Sequence, residues 1–231
     1  MRGRYLTYLD FVILLLESWG WGLMFKHLIW DFDGTLFDTY PGISKTFIKV
    51  INEQYGKHYS YEKVLNWCKK SLDTCGGNLA NDLDINKDEL MIKFSREYRD
   101  LGAPIEEPPF YGAREICEKI IRNNGMNLLV THRSYVTLKR LLIKYKMYKY
   151  FRELITGDDN YPRKPDPSSF IYLITKFNLR KDQVLAIGDR DLDIQAAKNA
   201  GIRSCYFSPE GKTYLDTDLH IKNLSDLENI L

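Results

Sequence analysis

The sequence predicts an α/β protein: a doubly wound, mostly parallel, Rossmann-like sheet carrying an inserted all-helical block. Three observations carry this. From residue 110 on, short apolar strands alternate with amphipathic helices, the pattern of a parallel sheet flanked by helices. Residues 40–105 show helical periodicity and no strand. Ahead of that block, the apolar run His27-Leu28-Ile29-Trp30 reads as a short buried strand that ends on two carboxylates, Asp31 and Asp33. The boundaries that follow are an N-terminal extension over 1–23, a core built from 24–39 and 106–231, and a helical insert over 40–105.

Residues 1–23 do not fit the rest. The run Phe11-Val12-Ile13-Leu14-Leu15-Leu16 is too short to span a bilayer and is flanked by Asp10 and Glu17. Arg2 and Arg4 ahead of it suit a signal peptide, but no small-residue cleavage site follows. The favoured reading takes Met24 as the natural start, with a loosely held helix as the runner-up.

After the first strand, Ile43, Phe47, Val50, Ile51 and Tyr55 recur at helical spacing and predict a helix over 42–55. A second is predicted over 60–70, then a flexible turn over 71–77 containing Gly76-Gly77, and short helices near 78–83 and 87–101. The proline-rich stretch 102–109 reads as a stiff extended linker. Further on, helices are expected over 112–124, 134–144, 168–177 and 192–200, with a terminal one from Ser225. Strands are expected over 126–130, near 153–156, and over 184–188, 202–206 and 219–221. Asn124-Gly125 and Gly201 are helix stops, and Ser134 is a candidate N-cap.

Composition excludes several classes. The 231 residues are 44% hydrophobic and 28% charged, with net charge +2. No basic block has the footprint of a nucleic-acid binder. Cys68, Cys75, Cys117 and Cys205 lack metal-site spacing and read as reduced thiols of a cytoplasmic protein, although a Cys68–Cys75 bridge stays open. Membrane association is not expected, and oligomeric state is not legible.

Alternation along a strand aims Asp31 and Asp33 to one side, with Phe32 turned away. In an open α/β sheet, strand carboxyl ends deliver ligand-handling groups. Two carboxylates at one mouth repel unless a cation or a proton relieves them.

The pattern Asp31-x-Asp33-Gly34-Thr35-Leu36 resembles the first motif of the haloacid dehalogenase superfamily. Three further clusters resemble the remaining motifs, in the same order: Thr131 at the end of a strand, Lys164 in Arg-Lys-Pro-Asp-Pro, and the acidic run Gly188-Asp189-Arg190-Asp191-Leu192-Asp193. The resemblance spans residues 25 to about 230. It is closest to the branch with a helical cap between the first two motifs, similar to phosphoglycolate phosphatases.

The resemblance implies a phosphatase acting on a small phosphorylated metabolite. Asp31 is then the nucleophile and forms an aspartyl-phosphate, while Asp33 protonates the leaving oxygen and later activates water. The two duties of Asp33 call for a raised pKa with substrate bound. Mg²⁺ is the implied cofactor, held by Asp31, the backbone carbonyl of Asp33, and Asp189. Asp193 either supports the metal shell or orients Lys164. Thr131, Lys164 and backbone N–H groups near Gly34 and His132 hold the phosphoryl group, with His132 as a pocket wall. Asp191 reads as a first-turn acid. Lys69, Lys70, Asp73 and Asn78, around the turn at 71–77, are candidate contacts to the leaving group.

The rivals are a phosphomutase resembling β-phosphoglucomutase, a phosphate-binding protein without catalysis, a dehalogenase, and a membrane-tethered protein. Carbon–halogen hydrolysis needs neither Asp33 nor a metal shell, which disfavours the dehalogenase.

Overall fold

A computed structural model describes residues 25–100, 106–213 and 216–231. The N-terminal extension and its readings lie outside the described residues, apart from the first strand that follows it.

Among the described residues the sheet has six strands, all parallel, in the order β3-β2-β1-β4-β5-β6. They are β1 (His27–Trp30), β2 (Met126–Val130), β3 (Phe151–Ile155), β4 (Val184–Gly188), β5 (Arg203–Phe207) and β6 (Leu219–Ile221). From β1 the chain builds outward through β2 and β3. It then returns to the other side of β1 to lay down β4, β5 and β6. The strand order therefore reverses between β1 and β4, and ligands bind at the carboxyl ends of such a switch point.

Both faces of the sheet are covered, which is why β1 and β4 read as near-continuous apolar runs. Leu28, Trp30, Leu185 and Ile187 pack toward α5 (Ala113–Arg122), α6 (Tyr135–Lys144) and the C-terminal segment. Ile29, Val184 and Ala186 pack toward α7 (Ser168–Lys176) and α8 (Asp191–Ala200). Trp30 is fully buried, and its indole N–H donates to Asn127 Oδ1 at 3.0 Å. Asn127 donates onward to the Cys117 carbonyl at 2.9 Å, so the polar residue in the middle of β2 is satisfied.

Between β1 and α5 lie α1 (Tyr40–Tyr55), α2 (Tyr61–Lys70), α3 (Leu72–Leu83) and α4 (Lys87–Asp100). These helices enclose a hydrophobic cluster of their own, including Ile43, Phe47, Val64, Leu79, Leu90 and Phe94. The chain leaves the core at Phe37–Tyr40 and returns near Glu107–Phe110. There the two crossings are joined by hydrogen bonds, Asp38 N–H to the Pro108 carbonyl at 2.9 Å and Phe110 N–H to the Leu36 carbonyl at 3.0 Å.

Several boundaries move. α1 starts at Tyr40, with Pro41 in its first turn, where a missing N–H costs nothing. The expected turn over 71–77 is instead the first half of α3. Ser71 caps it by accepting the Thr74 N–H at 2.9 Å, and Cys75, Leu79 and Ala80 are drawn into the helical core. Gly76 is there for packing: a Cβ would come within 2.5 Å of Met91 Sδ on α4. Ser134 begins α6 without a side-chain cap bond, and Asp158 instead accepts the Tyr135 N–H at 2.8 Å. The terminal segment Leu224–Asn229 is a 3₁₀ helix. All four cysteines are free and buried. Among the described residues no helix is long and apolar enough to cross a membrane.

Candidate active site

Asp31 follows β1 directly. Its N–H donates to the Ile187 carbonyl at 2.9 Å, extending the β1–β4 ladder by one residue and fixing the backbone beneath the carboxylate. Thr131 is held likewise at the end of β2 by its N–H to the Ile155 carbonyl, 2.9 Å. Asp189 follows β4. The switch point thus brings three strand ends together.

Lys164, from the loop before α7, reaches under this mouth. Its Nζ lies 2.5 Å from Asp31 Oδ1, 2.5 Å from Asp193 Oδ1 and 3.0 Å from the Val130 carbonyl. All three side chains of this charged cluster are at most 4% exposed. Asp193 also accepts the Arg190 N–H at 3.2 Å, so of its two expected duties the contact to Lys164 is in place. Asp31 Oδ2, by contrast, is buried with no hydrogen-bond partner among the described residues.

Carboxylate oxygens of Asp31, Asp189 and Asp193 lie within 4.8 Å of one another. Burial first, and then Asp193, push Asp31 up to about 6 despite Lys164. Burial and then Asp31 push Asp189 up to about 8. Asp193 is also buried, but Lys164 and Arg190 more than offset that and hold it below the usual range. A divalent cation would relieve the repulsion between Asp31 and Asp189, and hard oxygen donors suit Mg²⁺. The set of three carboxylate donors therefore fits such an ion.

Asp189 is oriented from both sides. Thr35 Oγ1 donates to Oδ1 at 3.1 Å and Tyr40 Oη donates to Oδ2 at 2.8 Å. Gly34 makes room for this: its φ is +82°, and a Cβ would lie 2.2 Å from Tyr40 Cε2 and 2.5 Å from Asp189 Oδ2.

Asp33 stands apart from the acidic cluster. Thr39 Oγ1 donates to its Oδ1 at 2.6 Å, and Arg133 grips it through Nε at 3.0 and 3.2 Å and Nη2 at 2.5 Å. Burial alone would raise this carboxyl, but Arg133 and Thr39 outweigh it and hold the group below its usual range. In this structure the shift is therefore opposite to the one an acid needs.

His132 accepts the Lys164 backbone N–H on Nε2 at 3.0 Å. Burial, then Lys164 and Arg190, lower the imidazole to about 4, so it is neutral near pH 7 and serves to hold the Lys164 loop. Thr131 Oγ1 accepts the Arg133 N–H at 3.1 Å, and the hydroxyl proton stays available to donate.

A cleft of about 790 Å³ opens beside Asp189, between core and helices. Its lining includes Gly34, Tyr40, Lys69, Lys70, Arg190 and Glu210. Lys69 and Lys70 thus sit where leaving-group contacts were expected. Asp73 does not line the cleft and pairs with Lys87 at 2.5 Å, and Asn78 is not among the lining residues either, because 71–77 is helix rather than a lid turn.

Thr39, Tyr40, Arg133, Tyr98 and Glu107 were not singled out in the sequence. No local pattern marks their contacts, which span up to 149 residues.

The model of the family described as haloacid dehalogenase-like hydrolase matches residues 28–207, well over half of the chain. The chain belongs to the haloacid dehalogenase-like hydrolases. It is similar to a phosphoglycolate phosphatase of Aliivibrio fischeri, 27% identical over 187 residues, covering 78% of this chain and 82% of the relative. It is also similar to the pyrophosphatase PpaX of Bacillus cereus, 28% identical over 214 residues, covering 88% and 95%. The crystal structure of a predicted phosphoglycolate phosphatase from Haemophilus somnus superposes with a TM-score of 0.77. It covers 89% of this chain and 97% of that one, and at 21% identity it speaks to the fold alone. The hydrolase family and the parallel α/β fold expected from the four motifs are both present.

Proposed function

We propose that this hydrolase is a Mg²⁺-dependent phosphatase that cleaves a small phosphorylated metabolite through an aspartyl-phosphate on Asp31. The observation that carries the proposal is the Asp31 side chain: one oxygen is held by Lys164, and the other is buried without a partner. That leaves one oxygen fixed in direction and free to attack.

Mg²⁺ on Asp31, Asp189 and the backbone carbonyl of Asp33, with Asp193 alongside, would neutralise phosphoryl charge. In the first step Asp31 Oδ2 bonds to phosphorus as the bond to the leaving oxygen breaks, and Asp33, which must rise from its lowered state once substrate is bound, gives that oxygen a proton. In the second, water attacks phosphorus, Asp33 takes its proton, the bond to Asp31 breaks and inorganic phosphate leaves. Lys164 and the Thr131 hydroxyl, with backbone N–H groups near Gly34 and His132, hold the phosphoryl oxygens. The helices α1–α4 act as a cap over the cleft, excluding water from the intermediate. The phosphatase and pyrophosphatase names of the relatives support phosphoryl transfer to water. The free cysteines support a reducing, cytoplasmic setting.

The test is release of inorganic phosphate from a panel of phosphorylated metabolites with Mg²⁺, wild type beside Asp31→Asn. Turnover by wild type alone is expected. Equal turnover by both overturns the nucleophile, and phosphoryl relocation within a substrate without release points to a mutase.

A further inference from the structure

Arg133 is buried, 8% exposed, and lies between two aromatic rings. Its Cζ is 5.2 Å from the Phe32 centroid and 5.3 Å from that of Tyr98. On one side it holds Asp33 with Nε and Nη2. On the other, Nη1 donates to Tyr98 Oη at 2.8 Å. The Tyr98 hydroxyl donates to Glu107 Oε1, and that oxygen lies 4.0 Å from Arg133 Nη2.

The places of these partners in the chain matter. Tyr98 belongs to the last turns of α4, and Glu107 to the segment that returns to the core. Thr39, the other partner of Asp33, lies on the outgoing segment. The Tyr98 ring stacks on Phe94 at 5.5 Å, and Phe94 stacks on Phe47 at 4.0 Å. An unbroken run of contacts therefore joins the interior of the helical block to Asp33: Phe47, Phe94, Tyr98, Arg133, Asp33. Apolar replacement of a buried charge cluster is often neutral or stabilising, so stability is a poor account of this one.

We propose that Arg133 is a positioning residue, which fixes where the Asp33 carboxylate stands and ties that place to the helical block through Tyr98. The proposal rests on Asp33 serving as the acid toward the leaving group. A displacement of α4 carries Tyr98, and Arg133 passes the displacement to Asp33.

Leaving-group dependence tests this. 4-Nitrophenyl phosphate has a leaving group that departs without protonation, whereas phenyl phosphate needs the acid more. kcat/KM reports the first chemical step for both. Arg133→Gln also lets the Asp33 carboxyl rise, but the lost placement should outweigh that, costing about tenfold or more in kcat/KM on phenyl phosphate beyond any loss on 4-nitrophenyl phosphate, within the range of general acid catalysis. Tyr98→Phe keeps the ring stack, removes only the hydroxyl, and should shift the same ratio in the same direction to a smaller extent. In an Asp33→Asn background neither substitution should change the ratio further. Thermal midpoints report folding, and if Arg133→Gln does not fold, Tyr98→Phe decides. Equal losses on the two esters, an unchanged ratio, or a further change in the Asp33→Asn background overturns the proposal. No turnover of either ester by wild type overturns the phosphatase reading as well, which separates that failure from this one.

Discussion

Lys164 Nζ sits between Asp31 and Asp193, 2.5 Å from a carboxylate oxygen of each. Removing the cation would leave two buried carboxylates facing one another. Lys164→Met is expected to destabilise the fold by about 3–5 kcal/mol at neutral pH, the range for breaking a buried pair. Urea denaturation of the two proteins checks this, and a loss below about 1 kcal/mol would mean that the cluster relaxes freely.

The raised carboxyls make stability depend on pH with a definite sign. Asp31 is pushed up to about 6 and Asp189 to about 8, both from an ordinary value of 3.8. Between about pH 4 and 8 these two groups bind more protons in the folded chain than in the unfolded one and make stability fall as pH rises, opposed below about pH 6.5 by His132, whose lowered imidazole is neutral in the fold. Asp33 and Asp193 are shifted down, and their contribution is lost only below about pH 4. Thermal midpoints in excess chelator should therefore decline from about pH 6.5 to 8, where Asp189 dominates, and millimolar Mg²⁺ should flatten the decline. A flat profile in chelator would count against the mutual repulsion of these acids.

Tyr40 Oη is the partner of Asp189 Oδ2 at 2.8 Å. Groups that orient a metal ligand are commonly worth 10–100-fold in affinity, so Tyr40→Phe should raise the Mg²⁺ concentration for half-maximal activity about tenfold. A Mg²⁺ titration of both proteins measures it.

Gly34→Ala places a side chain at φ +82° and drives its Cβ toward Tyr40 and Asp189. The left-handed backbone alone costs roughly 1–2 kcal/mol, and the displaced Tyr40 and Asp189 should weaken Mg²⁺ binding as well. Calorimetry with a parallel metal titration separates the two effects.

The Lys69–Glu210 pair crosses the cleft at its surface, with side chains 31% and 48% exposed. Such pairs contribute about 0–1 kcal/mol. Lys69→Ala should leave the thermal midpoint nearly unchanged while raising KM more than it lowers kcat. A large drop in midpoint would make Lys69 structural.

Much of the site was legible because its residues follow strands. Asp31 and Thr131 each extend a ladder and Asp189 directly follows β4, and apolar runs ending on polar residues are visible in one dimension. Lys164 was legible only through the resemblance of Arg-Lys-Pro-Asp-Pro to the third motif of the family. The grip of Arg133 on Asp33 was not, because it joins residues 100 apart and nothing local to either marks the other. The turn assigned to 71–77 shows the opposite error. Gly76-Gly77 looks like a break, yet the close approach of Met91 on α4 explains Gly76 within a helix. Ser71, three residues before Thr74, carried the cap signal that could have corrected it.

The stitched crossings at Asp38–Pro108 and Leu36–Phe110 have one more consequence. A segment whose two ends leave a scaffold side by side is a graft: its length and content can change without stretching the scaffold. The clustered side chains at the strand ends stay on the stock, and Lys69 and Lys70 ride on the scion. Exchange of the grafted helices would then alter which molecules are accepted, while the inherited chemistry passes unchanged from one variant to the next.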